Sequence, residues 1–350
     1  MPLSRVQATV APQEPGTPML ANPGFECSQG TTALQAAQGG VMHIPAGWTP
    51  VFLEGTPWLY SASMQFNRGS CGGPAHVEKI DGADSLAVFA HDLEWTDRPG
   101  KPFDVAVYQQ VATVPGQAYS LSGWMLTLCG GSTMPNDCPE GFYMAKQIGL
   151  DPTGGTDPTA PTVVWVEDRR NFVEDGQRVG WVNLRVAATA SAPQVTVFAR
   201  IRSPFQWHGN HGFVDAFSLV NAPTAFLDPL PPQVDGEQIT LRWHGELSRQ
   251  IREIPDGTYR LLFDVQFRLG EDGAWQSLAQ RQPAGQLTFV AQAEGVVHYF
   301  RVRPWAEQPP GSGGAWPNHR YPGVWSEPQA VVFRQGPPAD HKVHLPIVER

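Results

Sequence analysis

The sequence predicts an all-β protein made of two β-sandwiches, and three observations carry that expectation. Gln109 to Leu128, QQVATVPGQAYSLSGWMLTL, alternates with period two on either side of Pro115-Gly116, which reads as two strands around a tight turn. The composition, with 36 Gly, 34 Pro and 16% charged residues, is rich in turns and poor in the mixtures that sustain long helices. Short β-favouring runs recur in two sets separated by the Pro-rich stretch 222–232.

Along the chain, residues 1–18 are Pro-, Gln- and Thr-rich without periodicity and read as a linker. The first domain is expected over 19–221. Its strands are DSLAVFA (84–90), FDVAVYQQV (103–111), AYSLSGWML (118–126), FYMAKQIGL (142–150), TVVWVE (162–167), GWVNLRVAAT (180–189), QVTVFARI (194–201) and FVDAFSLV (213–220). Their number and spacing suit a two-sheet sandwich. Residues 222–232 read as a second linker, 233–335 as a second domain and 336–350 as a tail. The second strand set is ITLRWHG (239–245), YRLLFDVQFRLG (259–270), LTFVA (287–291), VVHYFRVRPW (296–305) and PQAVVF (328–333).

A net charge of −9 argues against a nucleic-acid partner, because nonspecific phosphate binding needs clustered Lys and Arg. No apolar run reaches the roughly 18 residues of a membrane span. The N-terminus lacks the apolar core of a signal peptide, so any export signal is absent from this numbering. Cys27, Cys71, Cys129 and Cys138 permit three disulfide connectivities, of which Cys27–Cys71 with Cys129–Cys138 is favoured. Loop closure gives about 4 kcal/mol for the first and about 2.7 kcal/mol for the second. An oxidising location, extracellular or at the cell surface, follows as the expectation.

Three segments, NPGFE (Asn22 to Glu26), QQVATVPGQAYSLSGW and GFVDAFSLV (Gly212 to Val220), resemble the first strand, central hairpin and last strand of the jelly-roll carbohydrate-binding module superfamily. That resemblance implies a polysaccharide or glycan partner and a structural Ca²⁺ held by Glu26 and Asp215. A second acid that the family often places after the Asp is here Ala216. Over about 230–335 the chain resembles fibronectin type III: Trp243 matches its buried tryptophan, Tyr299 its tyrosine corner and GVWSEPQAVVF its last strand. The run IGLDPTGGTDPTAPTVVW (148–165) looks like a segment of bacterial surface-associated modules. Its Asp151 and Asp157 suit either ligand-loop chemistry or turn initiation.

Sugar sites combine a flat aromatic platform with a few polar groups. Trp58, Trp95 and Trp207 lie in polar, turn-rich surroundings and are the platform candidates, with Tyr60, Asp92, Glu94, Arg169, Gln206 and His208 as polar partners. Trp124 and Trp181 sit inside apolar alternation and are expected in the core. His208 and His211 form a loop HxxH that lacks a helix to align its rings for a metal. Carboxyl pairs Asp92/Glu94 and Glu167/Asp168 are sequence neighbours, whereas a glycosidase opposes its carboxyls across a cleft, about 5–10 Å apart. Neither HExxH nor GxSxG occurs. The expectation is therefore a noncatalytic glycan-binding protein. The alternatives are an adhesive protein contacting other cell-surface proteins and, further off, a hydrolase.

Overall fold

The computed structural model describes residues 19–35, 41–55, 61–66, 79–91, 102–128, 144–170, 173–175, 178–204, 210–254, 258–309 and 319–334. The fold is all-β, and the chain forms two compact units. The first is Met1–Pro223 together with Leu247–Arg260 and Ala306–Val324; the second is Thr224–Glu246, Leu261–Trp305 and Trp325–Arg350.

In the first unit the strands are β1 (Thr31–Gln35), β2 (Val41–Pro45), β3 (Thr49–Glu54), β4 (Ser61–Phe66), β5 (Leu86–His91), β6 (Phe103–Ala112), β7 (Ala118–Leu128), β8 (Ala145–Asp151), β9 (Val164–Asp168), β10 (Val173–Asp175), β11 (Arg178–Gly180), β12 (Val182–Thr189), β13 (Gln194–Ser203) and β14 (His211–Asn221). Two five-stranded sheets, β12-β7-β14-β5-β4 and β3-β6-β13-β8-β9, enclose the core, and β1-β2 and β10-β11 form separate pairs.

Val105, Val107, Val197, Ala199 and Ile201 of one sheet meet Leu121, Met125, Leu184 and Leu219 of the other in this core. At one edge Phe25, Trp48 and Phe217 stack and cross with centroids 4.7–5.7 Å apart. The Phe217 ring lies where a Cβ on Gly123 would stand, so glycine is what lets β7 pass beneath it. Trp124 and Trp181 are buried as expected, on the opposite face of their sheet, with Leu126 and Phe213.

Two expectations are corrected here. The strands within Gln109–Leu128 exist, but they do not form a hairpin: β6 pairs β3 and β13, whereas β7 pairs β12 and β14. The Pro115-Gly116 turn, with Gly116 at φ +83°, carries the chain from one sheet to the other, and its Gly116 N–H donates to Ala190 O at 2.7 Å. NPGFE is a turn rather than a strand. Asn22 takes φ +46°, its Oδ1 accepts Glu26 N–H at 2.6 Å, and a 3-10 turn follows at Cys27–Gln29.

The DPT repeats initiate turns. Asp151 Oδ1 accepts both Thr153 N–H and Thr153 Oγ1 at 2.8 and 2.7 Å, and Asp157 does the same for Thr159. Asp151 Oδ2 also accepts Thr162 Oγ1 at 3.0 Å. Bonds from Gln110 to Gly154 O and from Arg200 to Pro158 O fasten the loop to β6 and β13.

In the second unit the strands are β15 (Thr224–Leu227), β16 (Gln233–Asp235), β17 (Gln238–Glu246), β18 (Arg260–Leu269), β19 (Gln276–Gln282), β20 (Gly285–Val290), β21 (Val297–Glu307) and, after β22 (Arg320–Pro322), β23 (Gln329–Arg334). One sheet is β15-β17-β20; the other contains β16-β23-β21-β18-β19, with β16 parallel to β23. Trp243, Phe263, Phe267, Phe289, Phe300 and Phe333 fill the space between them. Residues 224–227, expected within a linker, form β15, because Leu227 can enter this core by pairing with Trp243. Tyr299 does not make a tyrosine corner. Its neighbours His298 and Phe300 take the inward positions of β21, so Tyr299 faces outward and its hydroxyl donates to Glu271 at 3.4 Å.

Leu247–Arg260, which holds the short helix α1 (Arg249–Arg252), and Ala306–Val324, which holds β22, belong to the first unit. Ile251, Tyr259, Ala306 and Tyr321 cluster with Val220 of β14.

Candidate functional site

Strand registers place five connections at one end of the first sandwich. In one sheet Glu54 pairs Asp104, Ser203 pairs Phe103, Arg202 pairs Ala145 and Lys146 pairs Asp168. In the other Ser61 pairs His91 and Leu128 pairs His211. The chain therefore crosses between sheets from Glu54 to Ser61, His91 to Phe103, Leu128 to Ala145, Asp168 to Val182 and Ser203 to His211.

All nine glycan candidates fall in these crossings: Trp58 and Tyr60 in the first, Asp92, Glu94 and Trp95 in the second, Arg169 in the fourth, and Gln206, Trp207 and His208 in the fifth. Of these, only Arg169 is among the described residues; the other eight lie outside them. The HxxH reading also rests on His208.

Arg169 lines a cavity of about 160 Å³ with Glu54, Asp104, Arg202 and Ser203, floored by Phe103 and Ala145. Asp104 is fixed by Arg200, whose Nε and Nη2 reach its two oxygens at 2.7 and 2.5 Å, and by Arg202 Nε at 3.2 Å. Arg169 pairs with Glu167, which also accepts Gln147 Nε2 at 2.5 Å. Two carboxylates and two guanidinium groups thus face one opening, offering acceptors and donors for hydroxyl groups, which are both. The sequence reading missed Glu54, Asp104 and Arg202. Asp104 left a signal, a charge inside the alternation of FDVAVYQQV at a position opposite the core valines.

Beneath this rim Lys146 is fully buried and bridges to Asp168 at 2.9 Å. Burial lowers the Lys146 pKa more than Asp168 restores it. For Asp168 burial works the other way but is outweighed by Lys146 and Arg170, which hold the carboxyl below its usual range. Glu167 and Asp168 point to opposite faces of β9, so they do not oppose each other across a cleft.

Glu26 and Asp215 approach the same turn, residues 80–84, from two sides. Asp215, fully buried at a bulge of β14, accepts Ile80 N–H at 2.8 Å and Asp81 N–H at 3.0 Å through Oδ2, and Ala216 N–H through Oδ1. Burial raises its pKa to about 8 against those amide bonds. Glu26 accepts Ala83 N–H at 3.1 Å, and burial with the charges of Asp84 and Asp81 raises its pKa. Among the described residues no three acidic, His or Cys side chains gather closely enough to hold an ion. A calcium ion here would therefore draw on backbone carbonyls as well; carboxyl and carbonyl oxygens are the hard donors it prefers.

Cys27 is disulfide-bonded, and no described cysteine is free. Cys71, Cys129 and Cys138 lie outside the described residues, so both pairings remain proposals.

A second cavity, of about 210 Å³, is lined by Trp124, Ser218, Tyr259, His319 and Tyr321 together with Pro23 and Asp81. It borders a chain of buried polar groups from Ser122 through His319 and Tyr259 to Tyr321 and Ser218.

No protein-family model matches the sequence. No curated protein matches it either. Among solved structures, the carbohydrate-binding module TmCBM61 in complex with beta-1,4-galactotriose is 13% identical, aligning 59% of this chain with 99% of its own at a TM-score of 0.33. The K1 cleaved adhesin domain of Lys-gingipain from Porphyromonas gingivalis W83 is 14% identical over 55% of this chain and 98% of its own, with a TM-score of 0.32. A family 16 carbohydrate-binding module is 14% identical over 50% of this chain and 92% of its own, at 0.25. With TM-scores below 0.5, none of these likenesses bears on what the chain binds. Among the described residues no helix is long and apolar enough to cross a membrane.

Proposed function

We propose that the chain is an exported, noncatalytic binding protein whose first sandwich, a jelly roll, recognises polysaccharide or surface glycan at the end built from the five crossings. One observation carries this reading. Arg169, the candidate that lies among the described residues, lines a cavity with Glu54, Asp104 and Arg202 at the end of the sandwich where the described strands of the two sheets terminate. Loops on a rigid two-sheet scaffold are where such proteins vary their specificity. Binding would use ring stacking and hydrogen bonds, with single-site affinity on the order of −4 to −8 kcal/mol.

The second sandwich is proposed as a fibronectin type III domain. Its support is the strand order, three strands facing a sheet in which β16 runs parallel to β23, and the buried Trp243. The disulfide at Cys27 supports an oxidising location. A calcium ion between Glu26, Asp215 and the 80–84 turn would brace both ends of the first domain.

Affinity electrophoresis and glycan arrays with the wild type and with Trp58→Ala, Trp95→Ala, Trp207→Ala and Arg202→Ala test the site. Loss of retention in two or more variants that keep the wild-type melting temperature is expected. A wild-type protein that binds no glycan but self-associates in light scattering would replace this reading with the adhesive one; turnover of a polysaccharide or ester would replace it with a hydrolase.

A further inference from the structure

The outward positions of β18 and β21 carry an uninterrupted alternation of rings and cations. Strand β21 is strictly alternating, with His298, Phe300 and Val302 inward and Tyr299, Arg301, Arg303 and Trp305 outward. Beside it, β18 turns Asp264, Gln266 and Arg268 outward, while Phe263, Val265 and Phe267 enter the core. Trp275, Arg281 and Trp325 join them.

The result is a ladder of eight groups. The Arg268 guanidinium carbon lies 5.0 Å from the Tyr299 ring centre and 4.8 Å from that of Trp275. Arg301 sits between Trp275 at 3.8 Å and Trp325 at 4.2 Å. Arg303 sits between Trp325 at 4.6 Å and Trp305 at 4.7 Å, and Arg281 closes the row 5.4 Å from Trp305. Stacking of this kind holds each guanidinium flat, so that those N–H groups not taken up within the face are directed in plane toward a carboxylate or sulfate.

Charge along the ladder is not balanced. Asp264 accepts Arg303 Nη2 at 2.7 Å and Trp305 Nε1 at 2.6 Å, so that end is neutralised. Arg301 has only the neutral Gln266, whose Oε1 accepts its Nε and Nη2 at 3.1 and 2.8 Å. Arg268 has no carboxylate partner among the described residues, and its Nε is buried without an acceptor. Arg303 and Arg268 both bear on Arg301 as like charges. In a chain of net charge −9, two unneutralised guanidinium groups held side by side need a reason. Mutual repulsion costs stability unless something anionic approaches.

From this geometry we infer that the outer face of β18 and β21 is a second binding surface, taking an acidic polysaccharide whose carboxylate or sulfate groups meet Arg268 and Arg301 while its sugar rings lie along the indole edges. A repeating polymer fits because the ladder itself repeats: Arg301 and Arg303 stand two residues apart on one strand, about 7 Å. The indoles between them favour a ligand with C–H faces over a bare anion. This surface is separate from the loop-end site, and its test uses different residues.

The experiment measures retention of the full chain on polygalacturonate, dextran sulfate and uncharged dextran, with poly-glutamate and inorganic sulfate as competitors. The wild type should bind the two acidic polymers and not dextran, weakening as salt rises from low to physiological strength. Arg268→Gln should reduce that affinity about tenfold, one charge-assisted contact, and Arg268→Gln/Arg301→Gln further, with the melting temperature recorded for each. Should the double variant not fold, Arg268→Gln and Arg301→Lys carry the test, the latter keeping charge but losing the planar fork. Unchanged binding by folded Arg268→Gln would overturn the inference. So would poly-glutamate displacing the glycans as effectively as they displace one another, which would make the face a reader of charge alone. Loss of loop-end glycan binding in Trp58→Ala, with acidic-polymer binding intact, would confirm that the two surfaces are distinct.

Discussion

His319 Nε2 lies 2.7 Å from Ser122 Oγ, although 197 residues separate them in sequence. The other ring nitrogen, Nδ1, meets Tyr259 Oη at 2.8 Å, so the imidazole bridges β7 to the segment carrying α1. Ser122 also bonds Asn183 of β12, and Tyr321 reaches Ser218 of β14 at 2.8 Å. Every ring nitrogen and hydroxyl in this set has a partner, which is what makes a buried polar network stabilising rather than costly.

Burial, and to a lesser extent Arg185, lower the His319 pKa from 6.5 to about 3, so the folded protein keeps the ring neutral. The unfolded chain takes up a proton below about 6.5 while the native state does not. Stability from this group is therefore complete above that pH and declines as pH falls toward about 3. His319→Phe should flatten that acid decline and, at neutral pH, cost about 1–3 kcal/mol by stranding Ser122 and Tyr259. Urea midpoints at several pH values check it. A variant with an unchanged acid slope would assign that slope to other groups.

Asp215 acts in the opposite direction. Its folded pKa, about 8, lies above the usual 3.8, so its contribution is complete below about pH 4 and is lost as pH rises through about 8. In chelator, the melting temperature should fall across that window, and Asp215→Asn should remove the fall. Calcium bound between Glu26 and Asp215 would stabilise the anion and reverse the trend, raising the melting temperature near pH 8 in the wild type and not in Asp215→Asn. Equal curves with calcium and with chelator would end the calcium proposal while leaving the proton linkage intact.

Strand identity in both sandwiches was legible because period two is enforced wherever one face meets a core, as in β13 and β21. Pairing was not. Alternation states which side of a strand is apolar and is silent on which strand lies beside it, so β6 and β7 read as a hairpin although they belong to opposite sheets. The site divided the same way. Arg169 was named from the sequence and lines the rim, whereas Asp104 and Arg202 resemble ordinary outward charges until their register brings them to the same place. Tyr259, His319 and Tyr321 could not be found at all, since their partners lie in a different stretch of sequence.

The two DPT turns offer an internal comparison. Asp151 is buried and holds Thr153 and Thr162 together, so Asp151→Ala removes acceptors from three donors and should cost about 1–3 kcal/mol. Asp157 makes the same local turn in solvent, and Asp157→Ala should leave the denaturation midpoint close to wild type. Equal losses in the two variants would show that the local turn, rather than the cross-loop bond to Thr162, carries the effect.

Lys146 and Asp168 provide the sharpest stability test. Lys146 Nζ, fully buried, contacts Asp168 Oδ1 at 2.9 Å, Arg170 O at 2.5 Å and Thr127 Oγ1 at 3.3 Å. An ammonium loses much of its hydration there, which is why burial lowers its pKa, and the pair recovers most of that loss by attraction. Lys146→Met removes the cation, leaves Asp168 with Arg170 as its remaining ionic partner and strands Arg170 O and Thr127 Oγ1 against a methyl group, which should cost about 3 kcal/mol. Lys146→Met/Asp168→Leu removes both charges and should recover most of it, because the desolvation that the pair endures disappears with the pair. Chemical denaturation of the two single variants and the double variant gives the coupling directly. Losses that simply add in the double variant would mean that Lys146 acts through Arg170 and Thr127, and that the ion pair contributes little.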